Sequence, residues 1–278
     1  MLVARTRQEL RHATREVRLR HPTLALVPTM GALHAGHLSL VAHARSLGGG
    51  VVASIFINPL QFGTGEDFAR YPRDEAGDLS ALKNAGCDVV WIPAADEMYS
   101  AGDATLIEIG GPAQGWEGAA RPGHFRGVAT VVAKLFGQVG PQAACFGEKD
   151  WQQLQVIRRM CDDLAIPVCI VGVATLREPD GLAMSSRNRF LDAGERQTAA
   201  RLFAALQGVR SALQAEPAAR NALLHAKSGL NAAGFVVDYL ALVDAATLLP
   251  VDHAQPGTRL IAAARLGRVR LLDNIDAG

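Results

Sequence analysis

His34 and His37 stand three residues apart, in the stretch Pro28-Thr-Met-Gly-Ala-Leu-His-Ala-Gly-His37. An apolar run at 24–27 precedes them and reads as a short buried strand. Leu38, Val41, Ala42 and Arg45 then repeat at helical spacing. The order is strand, glycine-bearing loop, helix. Positions i and i+3 share one helical face, so both imidazoles can address one ligand. Gly31 and Gly36 let the backbone approach that ligand, and the N–H groups of a helix start favour an anion. Together these features suit a nucleotide phosphate. Zinc would need further ligands, and the neighbouring sequence supplies none.

Four other segments carry chemistry. Asn58-Pro-Leu-Gln-Phe-Gly63 follows a second apolar run, where ligands bind in open parallel sheets. Asn58 and Gln61 offer neutral donors and acceptors to hydroxyls and a carboxylate, and they also read as ordinary polar turn residues. Arg121-Pro-Gly-His124-Phe-Arg126 sets two guanidiniums and an imidazole before an apolar helix, an anion-facing arrangement or a solvated charged loop. In Gly147-Glu148-Lys149-Asp150, Lys149 can neutralise phosphate while Asp150 or Glu148 holds Mg²⁺. Gln152 and Gln153 follow on the crevice side. Met184-Ser185-Ser186-Arg187 combines two hydroxyls and an arginine in what reads as a mobile linker. It is not a P-loop, whose Gly-x-x-x-x-Gly-Lys pattern the chain lacks.

The elements that must position these groups alternate. Strands are expected at 24–27, 51–57, 88–92, 105–109, 143–146 and 168–171, with helices over 74–85, 128–139 and 151–164. Thr6 and Glu9 have capping-box spacing and open an N-terminal helix. This alternation argues for an α/β fold, a Rossmann-like open parallel sheet with helices on both faces. Near residue 175 the pattern changes. Long helices over 193–215 and 218–233 precede short strands at 236–243, 259–264 and 269–272. The expected domains are therefore 1–175 and a smaller α+β lid, 176–278.

Composition limits the function classes. The 278 residues carry a formal charge of +1 and are 49% hydrophobic, which gives a full core and no global field toward nucleic acid or membranes. No apolar run reaches a transmembrane length of about eighteen residues. Cys87, Cys145, Cys161 and Cys169 show no metal-ligand spacing, and all four read as buried, reduced thiols of a cytoplasmic protein.

Taken together, the stretches 28–37, 54–62, 121–135, 146–160 and 181–188 resemble the pantoate–β-alanine ligase family over essentially the whole chain. His34-Ala-Gly-His37 is similar to the His-x-Gly-His signature of nucleotidylyl transferases, and 184–187 to its Lys-Met-Ser-Lys-Ser counterpart. The resemblance implies ATP-dependent condensation of pantoate with β-alanine through a pantoyl adenylate, with Mg²⁺, without a tightly bound organic cofactor, and as a homodimer. It puts ATP against Met30, Gly31, Ala32, Leu33, His34, Ala35, Gly36, His37, Gly147, Glu148, Lys149, Asp150, Leu176, Met184, Ser185, Ser186 and Arg187. His34, His37, Lys149 and Arg187 become the catalytic set, with His37 as proton donor and Asp150 at the metal. Gln61 would contact pantoate and β-alanine, and Gln153 pantoate, with Asn58, Arg121 and His124 beside them. A nucleotidylyltransferase, a nucleotide sensor and an aminoacyl-tRNA synthetase are the rival readings. The run 147–153, the intact histidines and the absence of a basic domain weigh against them in turn.

Overall fold

The computed structural model describes residues 1–63, 65–66, 68–216 and 218–278. The chain forms two compact units, Met1–Glu148 with Val156–Ala174, and Lys149–Gln155 with Thr175–Gly278. Lys149 and Gln153, expected in the sheet domain, thus belong to the second unit. No helix among the described residues is long and apolar enough to cross a membrane.

The first unit contains β1 (Leu2–Ala4), α1 (Arg7–Arg18), β2 (Leu24–Thr29), α2 (Ala35–Ser46), β3 (Gly50–Ile55), α3 (Glu75–Asn84), β4 (Val89–Trp91), α4 (Ala95–Met98), α5 (Trp116–Ala120), α6 (His124–Val139) and β5 (Ala143–Gly147). Helix α7 (Trp151–Asp163) and β6 (Cys169–Val173) follow. The six strands make a parallel sheet in the order β1-β4-β3-β2-β5-β6. Alternation assigns its faces. Ala25, Val27, Val51, Ala53 and Val90 pack with Leu40, Val41 and Ala44 of α2 and Leu82 of α3. Trp91, one residue on from Val90, points the other way and donates Nε1–H to Gln138 of α6 at 3.1 Å. Helices therefore cover both faces. The strand order reverses between β2 and β5, and crevices for ligands open beyond the carboxyl ends at such switch points. The two loops with the densest chemistry leave those two strands.

Thr6 and Glu9 form the expected capping box. The strand expected at 105–109 does not form. The edge position beside β4 is taken by β1, which sequence reasoning missed, and Ile107 N–H is bonded to Thr130 Oγ1 of α6 at 3.0 Å. Cys169 is exposed rather than buried, because β6 is an edge strand.

In the second unit, α8 (Ala193–Ala199), α9 (Arg201–Ala215) and α10 (Ala219–Ala232) precede the antiparallel sheet β7 (Phe235–Asp244), β8 (Thr258–Leu266) and β9 (Val269–Asp276). The single helix expected over 193–215 is interrupted at Ala200, whose dihedrals stay right-handed. Leu202, Leu206, Val209 and Leu213 of α9 recur at helical spacing and pack on Leu260, Ala262, Ala264 and Leu271 of the sheet.

Candidate active site

The loop after β2 is built around an acidic cap. Gly31 has φ +80° and Ala32 φ +51°, and a Cβ on Gly31 would come within 2.9 Å of Asp78 Oδ2, so this turn requires glycine. Asp78 of α3 is buried and accepts from Ala32 N–H at 2.8 Å and Leu33 N–H at 2.7 Å. His34 is the N-cap of α2, with its Nδ1 accepting from Gly36 N–H at 3.1 Å. His37 Nδ1 accepts from His34 N–H at 3.3 Å. An imidazole that accepts at Nδ1 carries its neutral-state proton at Nε2, so both rings are donors at Nε2. Their centroids lie 4.1 Å apart, as the i, i+3 spacing predicts. One expectation is corrected. The N–H groups of Ala32, Leu33, His34 and Gly36 are already occupied by Asp78 and the two histidines. The imidazoles, more than the backbone, are what this loop can offer an anion.

Beyond β3, Asn58 caps the 3-10 turn Pro59–Gln61. Its Nδ2 donates to Gln61 Oε1 at 3.1 Å and to Gly127 O at 3.0 Å, while its Oδ1 accepts from Leu60 N–H at 3.3 Å and from Tyr99 Oη at 2.7 Å. These four bonds use the whole capacity of a side-chain amide. Asn58, only 1% exposed, stands behind Gln61 as a support. Gln61 Nε2 reaches Met30 Sδ at 3.3 Å, joining this turn to the histidine loop. Gly127 of α6 makes the approach possible, since a Cβ there would lie 2.2 Å from Leu60 O. Burial pushes the Tyr99 phenol well above its ordinary pKa, so it acts as a neutral donor.

Arg121 does not face an open anion site. It pairs bidentately with Glu66 (Nη2–Oε2 2.6 Å, Nε–Oε1 2.9 Å) and donates to Gln61 O at 3.3 Å. Burial opposes ionisation of Glu66, but the hydrogen bonds and charge of Arg121 outweigh it and lower the carboxyl's pKa. His124 Nδ1 lies 2.9 Å from Gln61 O, and its Nε2 lies 3.0 Å from Arg121 Nη1. A carbonyl and a guanidinium fix the tautomer: Nδ1–H donates and Nε2 accepts. Burial, then the Arg121 charge, lowers His124 to about 4. Arg121 and His124 together hold the Gln61 carbonyl.

In the second unit, the expected linker is a folded 3-10 turn, Ser186–Phe190, capped by Ser185 and anchored by Asn188 Nδ2 on Ala183 O at 3.1 Å. Met184 N–H bonds Leu176 O at 3.0 Å, which brings together two ATP candidates across a short turn. Lys149, Ser185 and Arg187 line one pocket with Asn188, Arg270 and Asp273. Lys149 Nζ lies 3.5 Å from Asp150 Oδ1.

A family profile described as pantoate-beta-alanine ligase matches residues 2–276. The chain belongs to the pantoate–β-alanine ligase family. The pantothenate synthetase of Granulibacter bethesdensis is 56% identical over 277 residues, 99% of this chain and 96% of its own. That of Acidiphilium cryptum is 60% identical over 253 residues, 91% of each. A solved pantothenate synthetase from Thermus thermophilus has a TM-score of 0.94 at 48% identity, covering 100% of this chain and 99% of its own. The Francisella tularensis pantoate-beta-alanine ligase, solved as a complex with beta-gamma ATP and beta-alanine, has a TM-score of 0.85 at 30% identity over 100% of this chain and 98% of its own.

Sequence reasoning missed Asp78, Tyr99 and Glu66 at this candidate site. Each supports a recognised residue from a remote segment, and none stands in a recognisable motif. The only local signal was Asp78 in the first turns of α3, where an acidic residue also serves the helix dipole.

Proposed function

We propose that the paired imidazoles, Gln61 and the Lys149–Arg187 group together carry out the ligation of this family in two half-reactions. The chain is a ligase that joins pantoate to β-alanine at the expense of ATP. In the first half-reaction a pantoate carboxylate oxygen bonds to the α-phosphorus of ATP, and the bond to the β-phosphate oxygen breaks. The electron pair leaves with diphosphate. In the second, the β-alanine amine attacks the acyl carbon of pantoyl adenylate, AMP departs with the electron pair of the mixed anhydride, and the nitrogen loses a proton.

The carrying observation is the pair of rings at 4.1 Å, each a donor at Nε2, with Gln61 bonded to Met30 of the same loop. Bringing a carboxylate onto a triphosphate is opposed by like charge. Donors and cations fixed in advance offset that repulsion in the transition state. His34 and His37 donate hydrogen bonds to phosphate oxygens, His37 serving as proton donor, while Lys149 and Arg187 neutralise charge on the departing diphosphate. Gln61 and Gln153 orient pantoate. Gly147, Glu148, Leu176 and Met184–Arg187 line the nucleotide in the same reading; the Francisella ligase, solved with beta-gamma ATP and beta-alanine, supports ATP and β-alanine as ligands.

Mg²⁺ would be held chiefly by the phosphates of the nucleotide. Among the described residues no group of three or more His, Cys, Asp or Glu is placed to hold a metal. Few carboxylates and many phosphate oxygens is a common Mg²⁺ arrangement, and Asp150 fits as its protein contact, where the ion would neutralise phosphate charge. Four free cysteines support a reducing, cytoplasmic setting, and sedimentation would test the homodimer that the family resemblance implies.

The test is isotope exchange between diphosphate and ATP. Exchange should require pantoate and Mg²⁺ and proceed without β-alanine. An absolute requirement for β-alanine would eliminate the free adenylate.

A further inference from the structure

The segment carrying Lys149 is held from the far end of the chain. Asn274, on β9, is 5% exposed. Its Nδ2 donates to Lys149 O at 2.8 Å, and its Oδ1 accepts from Arg259. Its own N–H is held by Asp273 Oδ1 at 2.7 Å. Asp273 is buried and paired bidentately with Arg177 at 2.7 and 2.8 Å. Arg177 in turn lies over the Phe203 ring, 3.8 Å from its centroid. Arg259 also covers the Trp151 ring at 3.4 Å, and Trp151 Nε1 donates to Ala245 O at 2.7 Å. Residues 149–151 are thus fixed at a backbone carbonyl, at a ring face and at an indole N–H, all within the second unit.

We propose that Asn274 is a positioning residue for adenylate formation, acting through the main chain of Lys149. The inference rests on the reading that Lys149 meets the phosphates of ATP. A lysine ammonium rides on four rotatable bonds, so where it can go is set first by where its backbone is fixed. Only a group with a donor on one side and an acceptor on the other satisfies both Lys149 O and Arg259. A carboxylate would turn an acceptor toward the carbonyl, and an alkyl group would remove the bond that each of these two partners makes to position 274. The amide is therefore required by its neighbours and not merely tolerated. Displacing a catalytic group by about 1 Å costs roughly 100-fold in rate.

The experiment is a double-mutant cycle in the full chain, read by diphosphate–ATP exchange at saturating ATP and pantoate. Asn274→Asp keeps the acceptor for Arg259 and removes the donor to Lys149. Asn274→Ala removes both without adding charge beside Asp273. Each should slow exchange by roughly 10- to 100-fold when Lys149 is present. With Lys149→Ala already in place, each should slow it by less than about twofold, since coupled residues are not additive. A general structural role would multiply the loss equally in both backgrounds, and that result overturns the proposal. So would wild-type exchange in both variants, or loss of cooperative thermal unfolding in both. A near-normal Lys149→Ala enzyme would instead remove the phosphate reading itself, a separate failure visible in the single variant.

Discussion

His124 gives a pH response whose sign and size follow from its contacts. The residue is 8% exposed, and its ring is held between two partners, the Gln61 carbonyl at Nδ1 and the Arg121 guanidinium at Nε2. Protonation would turn Nε2 into a donor facing another donor, beside a positive charge. Burial and that charge lower its pKa from 6.5 to about 4. A histidine with a depressed folded-state pKa is bound to fewer protons when folded than when unfolded across that interval. Its neutral contacts are fully stabilising above 6.5, and the contribution is lost as pH falls toward 4. The whole interval corresponds to roughly 3 kcal/mol, and about 2 kcal/mol of it is lost between pH 7 and pH 5. Urea unfolding at those two pH values should show that loss in the wild type. His124→Asn keeps an N–H for the Gln61 carbonyl but has no titrating ring, so its pH dependence should be shallower by the same amount. A carbon-13 NMR titration of the ring gives the pKa directly. A ring that titrates near 6, or identical pH slopes in both proteins, would refute the packing argument.

Three further outcomes are expected. Lys149→Ala should lower pantoate-dependent diphosphate exchange by about two to three orders of magnitude, measured at saturating ATP; a near-normal rate would exclude a phosphate role. Gln61→Ala should weaken pantoate binding more than ATP binding in calorimetric titrations, because a buried polar group of pantoate then loses its partner, whereas equal losses would reverse the assignment of the crevice. Asp78→Ala leaves two buried N–H groups without their acceptor and should destabilise the first unit by at least about 2 kcal/mol, with fluorescence-detected unfolding as the measure. An unchanged midpoint would mean that water replaces the carboxylate.

The motifs of both units were legible in the sequence because each couples a local backbone signal to an uncommon residue pair. Apolar runs ending in Pro or Gly, and the His-x-Gly-His spacing, needed no distant information. What could not be read was the set of groups one layer back. Asp78 is 46 residues from Ala32 in sequence, Tyr99 is 41 from Asn58 and Asn274 is 125 from Lys149. Such pairs are fixed by tertiary packing, which leaves no local periodicity. The same blindness left Arg121 open between an anion-facing group and a solvated charge, because its bidentate partner Glu66 stands 55 residues earlier. The failed strand at 105–109 has a related cause. Its alternation suits a sheet edge, but three residues at the N-terminus had already taken that edge.

The cap of α2 sets conformational stability against turnover. Helix starts are ordinarily closed by Ser, Thr, Asp or Asn with Glu three residues later. Here two imidazoles form that reciprocal pair, so the bonds that nucleate the helix are made by the side chains assigned to the nucleotide. Selection for a tighter helix start would drift toward Ser-x-x-Glu and away from chemistry. The double change His34→Ser, His37→Glu should therefore yield a protein that melts no lower than the parent and forms no adenylate. Such a thermostable, silent variant would be a natural scaffold for trapping bound substrates.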